Sequence, residues 1–291
     1  DNPQTYLSLQ NGMKMKFFPT KKVKLTVDSA ACVRFGIVPT HLRGNMVDSV
    51  YWTIRTNQLY KNDLMLLDLL ASNKWQQPLY FAAPSSVNHC VAIDSFCHVT
   101  GWIYKFMPVK ADANAYIQGM GGVDALTSYE IFKNKCAWGN LNDPSVYVDP
   151  ESLNNSVRPK TNLMRVAQSL VSMNKPKEAV EMLDLFIEKF PDSKIPFDMY
   201  MIPFVEIYLQ AGETEKATLL ARRIAEIYTE NLDYYSSYSA GYNQYFQDDV
   251  RMALSVLQNL KNVAESKQQP DLAREMDSLF NMKLKYYAPA Q

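Results

Sequence analysis

The feature that most constrains this chain is a pair of helix-forming patterns between residues 162 and 190. Apolar residues recur at i, i+3, i+4 and i+7 and then at i, i+4, i+7 and i+11, which places each set on one face of a helix. They are Leu163, Val166, Ala167 and Leu170 in the first helix, and Ala179, Leu183, Phe186 and Phe190 in the second. Pro176 suits the first turn of the second helix, and Pro191 ends it. The pattern predicts a helical hairpin.

The same layout follows once more along the chain. The repeated positions are Met201, Phe204, Val205 and Tyr208, then Ala217, Ala221 and Ile224. Ala179 and Ala217 are equivalent positions 38 residues apart (217 − 179), and a small side chain there lets two helices approach closely. Lys177 and Lys216 are predicted on the solvent side. Paired helices with a period near ~34 residues resemble tetratricopeptide repeats. An ordinary antiparallel helix bundle, with similar periodicity, is the alternative.

A fainter third copy is predicted to close the stack of repeats. The residues that keep its spacing are Leu257, Leu260, Ala264, Leu272, Ala273 and Phe280. This copy lacks the glycine of the second one, as a terminal repeat often does. In the second copy, the helix that contains Phe204 is predicted to begin near Pro203 or to kink there, because an interior proline removes a backbone hydrogen bond. Stacked hairpins form a concave surface that suits an extended peptide.

The first half of the chain alternates between strand and helix patterns. The predicted elements are strands at 21–28, 49–55, 79–83 and 101–109 and a helix at 62–73. Such a succession describes a small α/β unit. A segment rich in Asn, Asp, Pro and Ser at 142–160 predicts the domain boundary. The predicted fold class is therefore α+β, with a mixed α/β domain at residues 1–150 followed by an all-α tetratricopeptide-like domain at 151–291.

The charges of the chain argue against two classes of partner. Lys and Arg number 30, and Asp and Glu number 30. The chain therefore lacks the basic field that binds nucleic acid or an anionic membrane surface. No apolar run approaches the ~18 residues of a membrane-spanning helix. Because the sequence opens at Asp1 without an apolar leader, we expect that a leader has been removed or that the chain is part of a longer protein.

No arrangement of residues predicts a metal or cofactor site. His89-Cys90 and Cys97-His98 form a mirrored pair. Two separated dyads without a fixed turn are weak evidence for four converging zinc ligands, and buried cysteines are the default. The glycine-rich segment at 119–122 lacks the spacing and the lysine of a phosphate-binding loop, which favours a plain loop.

No arrangement predicts catalysis either. Asp248 and Asp249 are adjacent and would point about 100° apart on a helix, which favours a role at a helix start over a catalytic carboxylate pair. The three histidines of the chain form no recognisable triad with a serine or cysteine. We therefore predict no catalytic residue.

Two longer stretches carry a more specific resemblance. The first runs through residues 63–81, ending in Gln-Pro-Leu-Tyr-Phe, and continues at 101–109 with Gly-Trp-Ile-Tyr-Lys-Phe. The second runs through 138–149, beginning with Trp-Gly-Asn-Leu-Asn-Asp-Pro, and is followed by Asn-Leu-Met-Arg at 162–165. In this order they resemble the C-terminal soluble region of a family of bacterial multi-span membrane proteins related to protein O-mannosyltransferases. The resemblance covers most of residues 20–230.

The resemblance implies a place and a role. In that family the membrane helices come first, and the soluble part faces the periplasm and ends in tetratricopeptide-like repeats. Related membrane glycosyltransferases place their catalytic acid in an early extracytoplasmic loop. The implied role is a non-catalytic accessory domain on the periplasmic face of the inner membrane, whose partners are the membrane half of the parent protein and a protein or glycan acceptor. A free-standing periplasmic adaptor or glycan-binding protein is the alternative.

Candidate binding residues come from a high density of tyrosine between residues 228 and 246. Tyrosine offers a flat apolar face with a polar tip, which suits sugar rings or peptides. The predicted binding residues are Trp138, Tyr234, Tyr235, Tyr238 and Tyr242. The competing interpretation is that the tyrosine rings wedge the second repeat against the third.

Overall fold

A computed structural model describes residues 6–8, 10, 12–83, 90–111, 120–238 and 245–287. The contacts within the chain form two compact units, Asp1–Thr127 and Ser128–Gln291. The first contains small sheets and short helices, and the second is helical, which confirms the α+β class. The domain boundary predicted near residue 150 stays a prediction.

The first unit is built around three sheets. β1 (Tyr6–Ser8) pairs with β2 (Lys14–Lys16), and β3 (Lys22–Thr26) pairs with β4 (Ser49–Thr53), both antiparallel. The third sheet has the order β5, β7, β6, β8, with β5 (Leu79–Phe81), β6 (Cys97–Thr100), β7 (Ile103–Phe106) and β8 (Gly122–Val123). Only its β6–β8 pair is parallel. Among its described residues, α1 (Ser29–Arg34) and α2 (Lys61–Asn73) are the α-helices that lie wholly within this unit.

The strand predicted at 49–55 buries the face that its alternation predicted, whereas Val23, Leu25 and Val27 of the strand predicted at 21–28 are only half-buried. Val50, Trp52 and Ile54 are buried, whereas Tyr51 between them is exposed, as one buried face requires. Trp75 stacks on Phe106 with ring centroids 5.4 Å apart, and its Nε1 donates to the carbonyl oxygen of Thr26 at 2.8 Å. The predicted strands at 21–28 and 49–55 and the helix ending at Asn73 are confirmed.

The four-stranded sheet contains a strand that the sequence did not predict. All four residues of β6 are buried, so its Cys-His-Val-Thr sequence does not separate a buried face from a solvent-exposed face. Gly101, with φ of 67°, lies in the tight turn that joins β6 to β7. The strand predicted at 101–109 is therefore shorter, because its first residues belong to that turn.

The glycine-rich segment at 119–122 also has a structural explanation. A Cβ on Gly121 would lie 2.1 Å from the carbonyl oxygen of Cys97, far inside van der Waals contact. Only glycine lets the chain approach β6 this closely before it enters β8. The expectation of a plain loop was wrong at Gly122, which begins β8.

The second unit consists of helices that follow one another in antiparallel pairs. They begin with α3 (Ala125–Asn134), whose first residues lie in the first unit, and α4 (Pro150–Asn155). Three hairpins then follow, namely α5 (Val157–Ser172) with α6 (Pro176–Lys189), α7 (Ile202–Gln210) with α8 (Thr214–Ser236), and α9 (Gln247–Ser266) with α10 (Pro270–Tyr287). The predicted helical hairpins are confirmed, including the faint third one.

The turns of the three hairpins share one backbone device. Each contains a residue with left-handed φ, namely Asn174 at 58°, Gly212 at 86° and Gln268 at 56°. A residue of this kind ends a helix and reverses the chain. The third hairpin is faint in the sequence because glutamine occupies the position where the second has glycine.

Ala179 and Ala217 lie where the helices pack, and both are fully buried with 0 % exposure. Nearby, Phe186 stacks on Phe190 at 4.8 Å and meets Phe204 edge-on at 5.2 Å. The prediction that small residues at the crossings are flanked by large ones is confirmed. The α7 helix begins at Ile202, just before Pro203 and after a single 3₁₀ turn, as the proline required.

Within the described residues, no helix combines the length and the apolar character that crossing a bilayer demands.

Candidate functional site

Aromatic side chains gather where α8 ends, α9 begins and α10 ends. Tyr235 stacks on Phe246 with centroids 5.0 Å apart, and Tyr238 lies 5.1 Å from the same ring. Tyr234 meets Tyr238 edge-on at 5.2 Å, and the hydroxyl oxygens of these two tyrosines are 2.5 Å apart. The stack joins the second repeat to the third, as the wedge interpretation expected.

The same region also exposes aromatic surface to solvent. Tyr245 is 71 % exposed, Tyr286 is 64 % exposed and Tyr234 is 57 % exposed. Single exposed rings are ordinary on a protein surface, whereas a contiguous apolar patch marks an interaction site. Packing between the repeats accounts for Tyr235 and Phe246, while Tyr234 contacts Tyr238 and Tyr286 donates a hydrogen bond to the carbonyl oxygen of Ser236 although both rings stay exposed.

A groove of about 410 Å³ opens beside the aromatic stack, and we call it the tyrosine groove. Its lining consists of Tyr235, Phe246, Gln247, Val250, Arg251, Leu254, Leu284 and Tyr287. The aliphatic members come from α9 and α10, so the groove lies between the two helices of the last hairpin. Its volume falls in the range of roughly 300–1,000 Å³ that is typical of ligand sites.

Charged residues border the tyrosine groove, and most of them are paired. Arg251 contacts Asp248 at 3.0 Å, and Lys283 forms an ion pair with Asp233. Asp249 is exposed and has no ion-pair partner among the residues that the structure describes. Burial raises the pKa of Tyr235, and the charge of Asp249 adds to this rise. Basic and acidic side chains are therefore both present at the border of the groove.

The structure brings some of the predicted binding residues together. Tyr235 lines the tyrosine groove, and Tyr234 and Tyr238 belong to its aromatic stack. Tyr242 lies outside the described residues. Trp138 is half-buried and contacts Phe132 and Phe190, each with centroids 6.0 Å apart, and it does not line the groove. That these residues bind a ligand stays a prediction.

Tyr235 is the one lining residue that was predicted, and the aromatic residues Phe246 and Tyr287 are among those that the sequence reasoning missed. Tyr287 donates a hydrogen bond from its hydroxyl to the carbonyl oxygen of Leu232, which fixes α10 to α8. The signal in the sequence was the Tyr286-Tyr287 pair near the end of the chain. This tyrosine pair points to the groove only when the third hairpin is known to bring the end of α10 next to the end of α8.

A row of polar side chains, linked by hydrogen bonds and an ion pair, runs across the first helices of the three hairpins. Gln168 of α5 donates to Gln210 of α7 at 3.0 Å, and Gln210 donates to Glu206 at 3.1 Å. Lys267, just after α9, contacts Glu206 at 2.9 Å. These side chains satisfy one another, so this row is less suited to an apolar ligand than the tyrosine groove.

The first unit holds a separate group of ionisable side chains. His41 Nε2 lies 2.8 Å from Asp124, which is almost fully buried. Lys105 donates to the carbonyl oxygen of Gly36 at 2.7 Å, and its Nζ lies 5.9 Å from the centroid of the Tyr80 ring. Burial lowers the pKa of Lys105, and the charge of Asp124 opposes this change. These contacts involve Tyr80 of β5, Lys105 of β7 and Asp124, which directly follows β8.

Three of the four residues of the cysteine and histidine dyads lie in the core of the first unit. Cys90, Cys97 and His98 are buried, and His89 lies outside the described residues. Burial raises the pKa of Cys97 to about 12, with a smaller contribution from Asp94, and burial also raises the pKa of Cys90. Metal ligation requires the thiolate, which burial of both thiols disfavours.

We expect the purified protein to contain much less than ~1 zinc ion per chain, because a buried protonated thiol is a poor ligand. Inductively coupled plasma mass spectrometry of protein prepared without chelator measures this. Cys97→Ser should leave the metal content unchanged, as should the matched control Cys136→Ser at the half-buried cysteine. A stoichiometric zinc content that Cys97→Ser abolishes and Cys136→Ser preserves would contradict the expectation.

Two family models match the chain. The TMEM260-associated domain 2 model matches residues 1–127, which are the residues of the first compact unit. A tetratricopeptide repeat model matches residues 161–193, which contain most of α5 and all of α6. No curated protein and no solved structure matches the chain significantly. The two matches indicate an accessory domain that takes part in protein interaction.

Proposed function

We propose that this chain is the non-catalytic accessory domain of a membrane glycosyltransferase-like protein related to the protein O-mannosyltransferases. In this proposal it lies on the periplasmic face of the inner membrane, and its helical repeats bind protein. The membrane half of the parent protein carries the chemistry. The support comes from the resemblance over residues 20–230 together with the matches to a TMEM260-associated domain and a tetratricopeptide repeat.

The observation that carries the binding role is the tyrosine groove on the last hairpin. Repeat hairpins provide a rigid scaffold, because each one packs on its neighbours. α9 contacts α8 and α7, and α10 contacts α8, so the groove is held from several sides. A preformed groove costs little ordering entropy on binding. Exposed aromatic rings at its edge add the contact area that interaction sites use.

The membrane context is tested by determining the coding sequence upstream of Asp1. We expect it to encode several apolar stretches of ~20 residues, each long enough to span a bilayer. A cleavable signal peptide or a lipidation cysteine directly upstream would instead support a free-standing periplasmic adaptor. Either result is decisive, because the two proteins differ in what precedes this chain.

We expect the isolated chain to transfer no sugar. Purified chain would be incubated with lipid-linked mannose and with peptide or protein acceptors, and transfer would be measured by mass spectrometry. The control is the parent protein reconstituted in lipid nanodiscs under the same conditions. Turnover by the isolated chain that a carboxylate substitution such as Asp124→Asn abolishes would overturn the non-catalytic assignment.

A further inference from the structure

We propose that the free edge of β3 binds an extended protein segment in which acidic and apolar residues alternate. The segment adds a third strand to the sheet of β3 and β4. This inference concerns the first unit and goes beyond the proposed function, which assigns binding to the helical repeats. Three features carry it, namely the unpaired backbone of β3, the charge beside that backbone and an apolar gap next to it.

β3 pairs with another strand along only one of its two edges. Its partner is β4, and no other strand among the described residues pairs with it. The N–H of Ile54 donates to the carbonyl oxygen of Lys21 at 2.9 Å, and the N–H of Val27 donates to that of Asp48 at 3.0 Å. Hydrogen-bonded pairs alternate along an antiparallel ladder. The even-numbered residues of β3 therefore direct their backbone groups away from β4, to what we call the outer edge.

Part of the outer edge is used within the chain, and part is free. The carbonyl oxygen of Thr26 accepts a hydrogen bond from Trp75 Nε1 at 2.8 Å, and the N–H of Lys22 donates to the hydroxyl oxygen of Thr20 at 3.1 Å. Between them, the N–H and the carbonyl oxygen of Lys24 bond to no described residue. Free groups on a strand edge are a template for pairing with another chain. One residue of an added antiparallel strand can bond to both groups of Lys24.

Lysine side chains give this edge a local positive charge, although the charges of the whole chain balance. Residues 2–27 contain no acidic residue and five lysines, namely Lys14, Lys16, Lys21, Lys22 and Lys24. Across the ladder, Lys22 and Lys24 face Thr53 and Tyr51, which are neutral. Asp28 and Asp48 lie beyond the other end of the ladder, where Thr26 pairs with Ser49.

The two lysines of β3 select the kind of strand that can be added. Lys22 and Lys24 are exposed, and neither forms an ion pair with a described residue. Lysines on an edge strand guard against indiscriminate pairing with other chains. Opposite charges on neighbouring strands attract one another, so an acidic segment is the partner that these lysines favour.

An apolar gap of about 280 Å³ lies between the sheet and α2, and residues 22–25 of β3 border it. Val23, Leu25 and Trp52 line it from the sheet, and Leu67 and Ala71 line it from α2. Val23, Leu25 and Leu67 are only half-buried, so the helix leaves part of the apolar face of the sheet uncovered.

The alternation of side chains along a strand combines the three features. Successive side chains of a strand lie on opposite faces of the sheet. In an added strand, the residue opposite Lys24 lies on the lysine face, and its two neighbours lie on the face of the gap. Acidic residues at the first set of positions and apolar residues at the second set therefore complement this edge.

The test measures the binding of fluorescent peptides to the whole chain by fluorescence anisotropy. We expect Thr-Glu-Val-Glu-Leu-Glu-Thr to bind with a dissociation constant of ~100 μM, as for a small interface. The reordered peptide Glu-Glu-Glu-Thr-Val-Leu-Thr has the same composition without the alternation, and it should bind at least ~5-fold more weakly. Methylation of the central glutamate nitrogen should abolish binding, whereas methylation of the valine nitrogen, which points away from β3, should not.

Variants of the edge separate its charge from its backbone. Lys22→Glu should weaken the alternating peptide at least ~5-fold, whereas Lys110→Glu, at an exposed lysine elsewhere in the first unit, should not. Lys24→Pro should bind more weakly than Lys24→Ala, because both lose the charge and only proline also removes the N–H of the outer edge. Proline is tolerated at such a position, since this N–H does not pair with β4.

A variant of the gap tests the apolar contact. Ala71→Phe fills the gap and should weaken the peptide at least ~5-fold. The matched control is Leu69→Phe, at a residue of the same helix that is 47 % exposed and does not line the gap. Circular dichroism at 222 nm checks that each variant is folded.

The inference is wrong if the alternating peptide does not bind, or if it binds equally to wild type, Lys22→Glu and Lys24→Pro. Vesicles of equal parts phosphatidylglycerol and phosphatidylcholine form a further arm. Vesicle binding that Lys22→Glu abolishes, without peptide binding, would assign the lysines to a membrane surface and overturn the inference. The proposed function is tested separately, by the upstream coding sequence and the transfer assay, neither of which depends on β3.

Discussion

Replacing Ala179 with phenylalanine is expected to lower the free energy of unfolding by ~3 kcal/mol, and Ala217→Phe should have a similar effect. Both alanines are completely buried between packed helices. A phenyl ring there forces the helices apart or into strained rotamers, and overpacking of a tight core typically costs ~1–3 kcal/mol. We expect a cost at the upper end of this range because the phenyl ring is large and both alanines are completely buried.

The controls place the same residue on the same helices at solvent-facing positions. Lys177→Phe and Glu215→Phe should change the free energy of unfolding by less than ~0.5 kcal/mol, since both residues are exposed. Lys216 is unsuitable as a control. Its side chain is 42 % exposed, as predicted, but it pairs with Asp184 at 2.6 Å, and Lys216→Phe would remove that ion pair.

Urea unfolding followed at 222 nm measures these changes, since the signal reports the helices directly. Phenylalanine has the same helix propensity at every site, so propensity cannot produce a contrast between buried and exposed positions. Equal destabilisation at Ala179 and Lys177 would show that the helices pack through other faces. The assignment of the repeats would then have to be withdrawn.

The helical hairpins were predictable because their information is local. An apolar period of 3.6 residues, a break and a proline at the next helix start are all visible within one hairpin. Asn174 and Gly212 mark two of the turns with residues that tolerate left-handed φ. Gln268 makes the third turn with a residue that carries no such signal, so the last hairpin was only faintly indicated.

The sheet of the first unit was harder to predict because its pairing is not local. β6 lies between β7 and β8 and is only four residues long, and both of its faces are buried, so its residue types do not reveal how it pairs. Val99, for example, pairs with Tyr104 on one side and with Val123 on the other. The dyad Cys97-His98 resembled metal ligands in the sequence because nothing in the sequence showed that it starts a buried strand.

The tyrosine groove was predicted in part for a related reason. The density of tyrosine at the end of α8 located one wall, and Tyr235 is in that wall. The floor comes from Val250 and Leu254 of α9 and from Leu284 of α10. These residues show ordinary helical periodicity in the sequence, and only the return of α10 along α9 brings them to the same place.

Asp198→Asn is expected to lower the free energy of unfolding by ~2–4 kcal/mol, because it removes the partner of a buried ammonium group. Lys160 Nζ contacts an Asp198 carboxylate oxygen at 2.5 Å, and the lysine side chain is only 2 % exposed. Removing one partner of a buried pair typically costs ~3–5 kcal/mol, since the other charge stays buried and unpaired. The aspartate side chain is 33 % exposed, so we lower the expected cost to allow for solvent screening.

Asparagine is the appropriate replacement because Asp198 has a second role. Its other carboxylate oxygen accepts a hydrogen bond from the backbone N–H of Tyr200 at 3.0 Å and caps the 3₁₀ turn before α7. An asparagine side chain keeps this cap through its carbonyl oxygen. The destabilisation by Asp198→Asn therefore reports the lost charge and not the lost cap.

The double variant Lys160→Met/Asp198→Asn separates charge burial from packing. Methionine fills a similar volume without a charge, and replacing a buried pair by apolar groups is often close to neutral. We expect the double variant to be more stable than Asp198→Asn alone by at least ~1 kcal/mol, again by urea unfolding at 222 nm. A double variant less stable than Asp198→Asn would mean that the lysine ammonium finds enough other partners to remain favourable at this position. In that case Lys160 itself would stabilise the fold, and an unpaired buried charge would not explain the destabilisation by Asp198→Asn.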